Sequence, residues 1–309
     1  MVWRTTTMSS WTTRLGDRLL GMAMAAECKS ARLDAASVAV DGGEIAYLRR
    51  GTGLSEAIVM LHGAASDRSA WLRLAKTMRT GITILIPDLP GHGESTAQTA
   101  SCYDIASQAG RMLDFLAALG VGRAHLIGNS MGAAIALRMA ADSPDRIASL
   151  VLIDAAGAET SPSWLRQQFA DSGNNPMVAI RNTAGYKKMI GIGMEKPPYI
   201  PGFLLAALAR NYVAREEINL RIARDIETDL DQRPLLGSIG APSLIIWGAQ
   251  DRVVHVDDAQ TLHAGLRNSE KVVLAGIGHV PMVEAPKQVA ALCDAFYAGR
   301  AAAHLPKAA

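Results

Sequence analysis

Eight short runs of β-branched or aliphatic residues recur along the chain, at Ser37 to Val40, Ile45 to Arg49, Ile58 to His62, Ile82 to Ile86, His125 to Gly128, Leu150 to Ile153, Leu244 to Trp247 and Val272 to Ala275. The first two flank Asp41-Gly42-Gly43, whose glycines can take the positive φ of a tight hairpin, so this pair is expected to be antiparallel. The later runs alternate with helical patterns. Between Tyr103 and Leu119, for example, Ile105, Ala109, Met112 and Leu116 share one stripe, with Ser101 as the expected cap and Gly120 just past the end. Such alternation predicts an α/β fold: a mostly parallel eight-stranded sheet with helices on both faces. Ligands of such sheets bind beyond the carboxyl ends of the strands, so reactive residues are expected just after a strand.

With 309 residues, 49% of them hydrophobic and 19% charged, the chain can bury one large core. From Glu159 to Leu236 the alternation gives way to helical stretches separated by Pro176, Pro197-Pro198, Pro201 and Pro234. This segment reads as a helical cap inserted between strands 6 and 7. The expected organisation is an N-terminal extension (1–35), an α/β core (36–158 and 237–299), the cap (159–236) and a tail (300–309). The apolar cap stretch from Tyr199 to Leu208 either lines a lipophilic pocket or holds the cap on the core. Phe203 and Leu204, with His62 and Val280, are the candidate substrate contacts.

A formal charge of +2 with no basic cluster excludes the phosphate-neutralising face that nucleic-acid binding needs. Cys28, Cys102 and Cys293 are odd in number and widely spaced, which points to free thiols and a cytoplasmic setting. Leu15 to Ala26 is too short and too interrupted by Asp17 and Arg18 to span a bilayer. Leu15, Leu19, Met22 and Ala26 recur at helical spacing instead. An amphipathic helix that packs on the domain or rests on a membrane surface is therefore preferred to a signal peptide cut after Ala-Met-Ala.

Gly128-Asn129-Ser130-Met131-Gly132 matches Gly-x-Ser-x-Gly between a strand and a helix, the setting in which the serine Oγ is aimed out of the sheet. A serine hydroxyl needs a base, and the base needs an orienting acid. Asp251 follows the Leu244 to Trp247 strand and His279 follows the last strand, giving the order Ser, Asp, His. The competing imidazoles are His62, His92, His125, His255, His263 and His304; the competing carboxylates are Asp88, Asp154, Asp257 and Asp258. Asp154 is the serious rival, since it also closes a strand. The backbone N–H of Met131 and, in His62-Gly63-Ala64-Ala65, that of Ala64 are the expected oxyanion donors. Asp88-Leu-Pro-Gly-His-Gly-Glu-Ser95 is assigned a structural role at the rim, and no metal cluster or cofactor motif is apparent.

On these motifs, with Trp247-Gly-Ala-Gln-Asp-Arg252, Gly278-His-Val-Pro-Met-Val-Glu-Ala-Pro286 and Pro197-Pro-Tyr-Ile-Pro201, the chain resembles the cap-bearing lipases and carboxylesterases of the α/β-hydrolase superfamily. Bacterial family V lipases and monoacylglycerol lipase-like hydrolases are the nearest groups, and the resemblance runs from about Val38 to Tyr297. It implies the α/β-hydrolase fold and a Ser130, Asp251, His279 triad without metal or cofactor. It also implies hydrolysis of short- to medium-chain acyl esters or monoacylglycerols. Ala64 replaces a commonly larger side chain, which leaves acyl length open, and Ala133 replaces a common second glycine. A meta-cleavage carbon–carbon hydrolase shares the Gly-Asn-Ser-Met-Gly elbow, although its Ser-Gly-Pro-Gly-like oxyanion loop is missing here. A non-catalytic binding protein on the same fold is the remaining alternative.

Overall fold

The computed structural model of the chain describes residues 10–79, 81–96, 102–173, 175–178 and 180–303. Eight strands pair into one sheet: β1 (Asp34–Val40), β2 (Gly43–Arg50), β3 (Glu56–Leu61), β4 (Thr83–Pro87), β5 (Arg123–Asn129), β6 (Ile147–Ile153), β7 (Ser243–Gly248) and β8 (Ser269–Leu274). Their order is β1-β2-β4-β3-β5-β6-β7-β8. The β1/β2 and β2/β4 pairs are antiparallel and the rest are parallel. All eight runs expected from sequence are strands, shifted by a few residues at their ends.

The central strands read as continuous apolar runs because both faces of the sheet are covered. Side chains alternate between two clusters. Ala57, Val59 and Leu61 of β3 face the first and Ile58 and Met60 the second; in β7, Ile245 and Trp247 oppose Leu244 and Ile246. Helices α3 (Ile105–Ala118), α4 (Met131–Asp142) and α9 (Asp258–Gly265) cover the first face. On the other lie α1 (Ser10–Ser30), α2 (Leu72–Thr77) and α11 (Pro286–Ala303). Burial of a leucine- or isoleucine-sized side chain contributes roughly 1.5–3 kcal/mol, so these two layers dominate the favourable side of folding.

Two local expectations change. Ser101 lies outside the described residues, and the side chain that caps α3 is Asp104, which accepts from Ser107 N–H at 2.6 Å. Asp229 adds acceptors for Ile105 N–H and Ala106 N–H at 2.7 and 2.9 Å, so tertiary contacts help fix where this helix begins. In α1 the expected stripe is turned outward: Leu15, Leu19 and Met22 are exposed, whereas Gly16 and Leu20 are buried and Met24 and Cys28 half-buried. Apolar residues lie on both sides of this helix, and spacing alone picked the outer set.

Between β6 and β7 stand α5 (Trp164–Ser172), α6 (Thr183–Gly193), α7 (Gly202–Val213) and α8 (Glu216–Ile226). This insertion is tied to the loops at the carboxyl ends of the strands. The Arg215 guanidinium donates to Gly91 O and Gly93 O after β4. Arg252, after β7, donates to Gly191 O at 2.9 Å and to Glu195 Oε2 at 2.7 Å. Glu284 of α10 (Pro281–Glu284) accepts from Glu195 N–H and Lys196 N–H at 2.9 and 2.7 Å. α1 packs against α7, and Arg210 pairs with Asp17 across that contact.

Candidate active site

Ser130 stands between β5 and α4 with φ +53°, a left-handed conformation uncommon for a residue with a side chain. Its flanking glycines leave room for the turn: a Cβ on Gly132 would come 2.1 Å from Leu61 O, and one on Gly128 2.4 Å from Gly132 O. Ser130 N–H donates to Ile153 O at 3.1 Å, and Ala156 N–H donates back to Ser130 O at 3.2 Å. β6 thus grips the elbow from the side. Asn129, buried, donates through Nδ2 to Ile153 O and to His279 O, both at 3.1 Å. The second bond brings the loop after β8 against the serine turn.

In that loop, His279 Nδ1 lies 2.8 Å from Asp251 Oδ2, with side-chain exposures of 7% and 0%. The other Asp251 oxygen accepts from Val253 N–H and Val254 N–H at 2.7 and 3.1 Å. The carboxylate partner assigns the Nδ1–H tautomer and leaves Nε2 as an acceptor. His279 N–H donates to Gly193 O at 2.8 Å, and Gly278 N–H to Glu284 Oε1 at 2.9 Å. The turn that carries Ser130 and the loop that carries the His279 ring, with Asp251 buried against that ring, are thereby brought together.

Two backbone donors stand ready at the elbow. Met131 N–H, at the first position of α4, precedes any intrahelical acceptor, and Ala64 N–H has no acceptor among the described residues. Ala65, with φ +55°, donates instead to His92 Nε2 at 3.3 Å. His92 is buried and its other ring nitrogen lies 3.2 Å from Pro90 O. Burial, reinforced by the neighbouring His62, holds the His92 ring well below the usual imidazole range, so it accepts from Ala65 as a neutral base.

His62 does not serve as the substrate contact expected of it. It is fully buried, accepts from Leu89 N–H through Nε2 at 3.0 Å and places Nδ1 2.8 Å from Gly63 O. Nε2 thus links the loop after β3 to that after β4, while Nδ1 is taken up within its own loop. Phe203, about half-exposed, stands in the first turn of α7 on the side of α1. Leu204 is half-buried, and Val280 packs partly against the core cluster beside α2 and α11. Of the rival histidines, His125 sits at the amino end of β5, bonded to Ser149 Oγ at 2.7 Å and Glu56 at 3.0 Å. His263 pairs with Ser269 Oγ at 2.9 Å and His255 with Asp257 at 3.5 Å, and His304 lies outside the described residues.

Asp154 takes a position that the sequence left open. It follows β6 with φ +44° and is fully buried, and its Oδ1 accepts from Gly248 N–H at 2.9 Å. Its carboxyl group lies beside that of Asp251, and polar side-chain atoms of Asp154, Asp251 and His279 lie within 4.8 Å of one another. Burial first, and then the Asp251 charge, push the Asp154 carboxyl well above the ordinary carboxylate range. Arg252 and Glu284 were not among the candidates, although both lie within the two motifs around Asp251 and His279; His92 stood among the competing imidazoles, in the Asp88 to Ser95 motif.

Residues 58–292 match the sequence profile of the alpha/beta hydrolase family. Among curated relatives, Lipase 1 of Psychrobacter immobilis is 30% identical over 258 residues, covering 82% of this chain and 81% of the lipase. Monoacylglycerol lipase abhd6-B of Xenopus laevis is 29% identical over 262 residues, covering 81% and 78% of the two chains. A crystal structure described as a membrane phospholipase A, a novel bacterial virulence factor, is 35% identical and superposes with a TM-score of 0.88 over 92% of both chains.

Proposed function

The chain belongs to the alpha/beta hydrolase family, and on that premise we propose that it is a serine carboxylic-ester hydrolase of the lipase and esterase type, acting on short- to medium-chain acyl esters or monoacylglycerols. The observation that carries this reading is the His279 Nδ1 to Asp251 Oδ2 contact of 2.8 Å, on a loop pinned by Asn129 to the Ser130 turn. Ser130 Oγ attacks the ester carbonyl while His279 Nε2 takes its proton. Met131 N–H and Ala64 N–H receive the oxyanion, which favours the tetrahedral intermediate over the flat ground state. His279 then returns the proton to the leaving alcohol, and water activated in the same way releases the acyl group from Ser130.

The helical cap, residues 159–236, confines the substrate above these groups. Lipase and monoacylglycerol lipase relatives support an acyl ester substrate. A peripheral membrane contact through α1 fits this reading, since Leu15, Leu19 and Met22 form an exposed apolar row on a helix that also carries Arg14 and Arg18. No described helix is long and apolar enough to cross a membrane.

The test is labelling with a fluorophosphonate and hydrolysis of a chain-length series of p-nitrophenyl esters and monoacylglycerols. Adduct on Ser130, and its loss together with turnover in Ser130→Ala, are the expected results. Retained turnover in Ser130→Ala would sink the mechanism, and a preference for acetate would sink the lipid-type substrate.

A further inference from the structure

We infer that Asp154 is a positioning residue for the ester-hydrolase chemistry: held as the neutral acid, it donates its O–H to Asp251 and thereby fixes the carboxylate that orients His279. The inference rests on the reading of Asp251 and His279 as acid and base.

Three observations converge on Asp154. Its backbone is held in the left-handed region at φ +44°, with its N–H donating to Ile246 O at 3.0 Å, so the side chain is aimed by the β6 and β7 ends rather than free to choose. Its carboxyl is fully buried beside that of Asp251. One oxygen takes Gly248 N–H, while no donor among the described residues is directed at Oδ2. The charges that act on it from the neighbouring elements are acidic, Asp251 after β7 and Glu284 on α10, and a ring nitrogen of His279 lies within 4.8 Å of it.

A second carboxylate in that position would be buried beside a like charge without a cation, an arrangement that proteins avoid by neutralising one partner. Asp251 is the partner already supplied with donors, by Val253 N–H, Val254 N–H and the His279 ring. A proton on Asp154 Oδ2 supplies both missing elements: a donor for the oxygen that lacks a partner and a further hydrogen bond for Asp251. The desolvated Asp154 side chain, whose burial already disfavours its charged form, agrees with that assignment.

The donor has two consequences for the base. It holds the Asp251 plane in the orientation that His279 Nδ1–H requires, and it draws charge away from the carboxylate. Loss of the donor concentrates charge on Asp251 and strengthens its pull on the His279 proton.

Wild type, Asp154→Asn and Asp154→Ala are to be compared by pH profiles of p-nitrophenyl ester hydrolysis and by proton NMR of the His279 Nδ1–H. Asp154→Ala is expected to lose about tenfold in kcat with KM within about twofold, the scale of one charge-assisted hydrogen bond. Its acid limb of kcat/KM moves to higher pH by about half a unit, and its Nδ1 proton moves downfield. Asp154→Asn keeps a donor in the amide and rescues all three readouts. Collapse of Asp154→Asn to the level of Asp251→Asn would overturn the inference, because an ionised Asp154 would then be required. An Asp154→Ala enzyme with its acid limb and proton resonance unmoved would overturn it equally. Absence of both ester turnover and a Ser130 adduct in the wild type would defeat the ester-hydrolase reading instead, and the NMR comparison would still decide for or against the Asp154 donor.

Discussion

Asp251 presents one carboxylate oxygen to the His279 ring at 2.8 Å and has the other held by two backbone N–H groups of the turn that follows it. The acid is therefore fixed before any substrate arrives, by the same short turn that carries it out of β7. Arg252, its neighbour, reaches Gly191 and Glu195 in the insertion. Arg252 thereby joins the insertion directly to the turn that carries Asp251.

Replacing Asp251 with Asn tests that geometry directly. The amide can fill the same space and its oxygen still accept from both backbone N–H groups, but an NH2 facing His279 favours the tautomer whose Nε2 carries the proton. A ring in that form cannot take the Ser130 proton. The expected loss in kcat is about 10⁴-fold, as in the best-studied serine triad, with the fold retained. Steady-state kinetics beside circular dichroism checks it, and a loss below about tenfold would remove Asp251 from the acid role.

Asp154 leads to a stability prediction whose sign is opposite to that of a salt-bridged aspartate. Its carboxyl is raised in the folded chain, chiefly by burial, and titrates near 3.9 when unfolded. Between those limits the native state binds the extra proton, so rising pH costs stability, by about 1.4 kcal/mol per pH unit at most. Asp154→Asn carries no such proton. The variant should be more thermostable than wild type near pH 7, with the difference shrinking towards pH 4. Thermal unfolding across that range measures it, and a less stable variant at neutral pH would mean an ionised, paired Asp154.

His92 ties the loop after β4 to the loop after β3, which carries the proposed oxyanion donor Ala64, through Ala65. Removing the ring in His92→Ala frees the turn that presents Ala64 N–H, with an expected fall in kcat of about tenfold and little change in KM, less than outright loss of an oxyanion donor. The buried neutral ring also has a pH consequence. Its native value is depressed, so protonation below about pH 6.5 favours the unfolded chain and stability falls as the medium is acidified. His92→Ala should flatten that acid slope, and unfolding midpoints between pH 5 and 8 decide the point.

What was legible in the sequence follows from how local each signal is. Strands with two covered faces advertise themselves as apolar runs, and Ser130, Asp251 and His279 each follow such a run closely enough for their ends to be matched. The Asp154 to Asp251 pairing was not legible, because it depends on the β6/β7 register that sets Ile153 beside Ile246. His62 looked like a ligand contact because it ends a strand near the site; its bonds to Leu89 and Gly63 belong to the third dimension. Ser101 was the expected cap of α3, but Asp104, also a good cap, accepts there, and Asp229 of the insertion adds to it.

The outward row of α1 supports a prediction that separates surface attachment from chemistry. Leu15, Leu19 and Met22 are 56%, 36% and 62% exposed, while Leu20 on the opposite side is 9% exposed and anchors the helix to the domain. Insertion of the outer row into a lipid interface would bury side chains that are each worth roughly 1.5–3 kcal/mol when fully transferred. A Leu15→Ser, Leu19→Ser, Met22→Ser variant should therefore lose at least about tenfold in binding to phospholipid vesicles. Hydrolysis of a soluble p-nitrophenyl ester should stay within about twofold of wild type, because none of the three residues approaches the elbow. Vesicle co-sedimentation and ester kinetics on the same preparations measure the two effects. Unchanged vesicle binding would assign this row no membrane role, and a parallel loss of soluble-ester activity would show that α1 supports the cap through α7 instead.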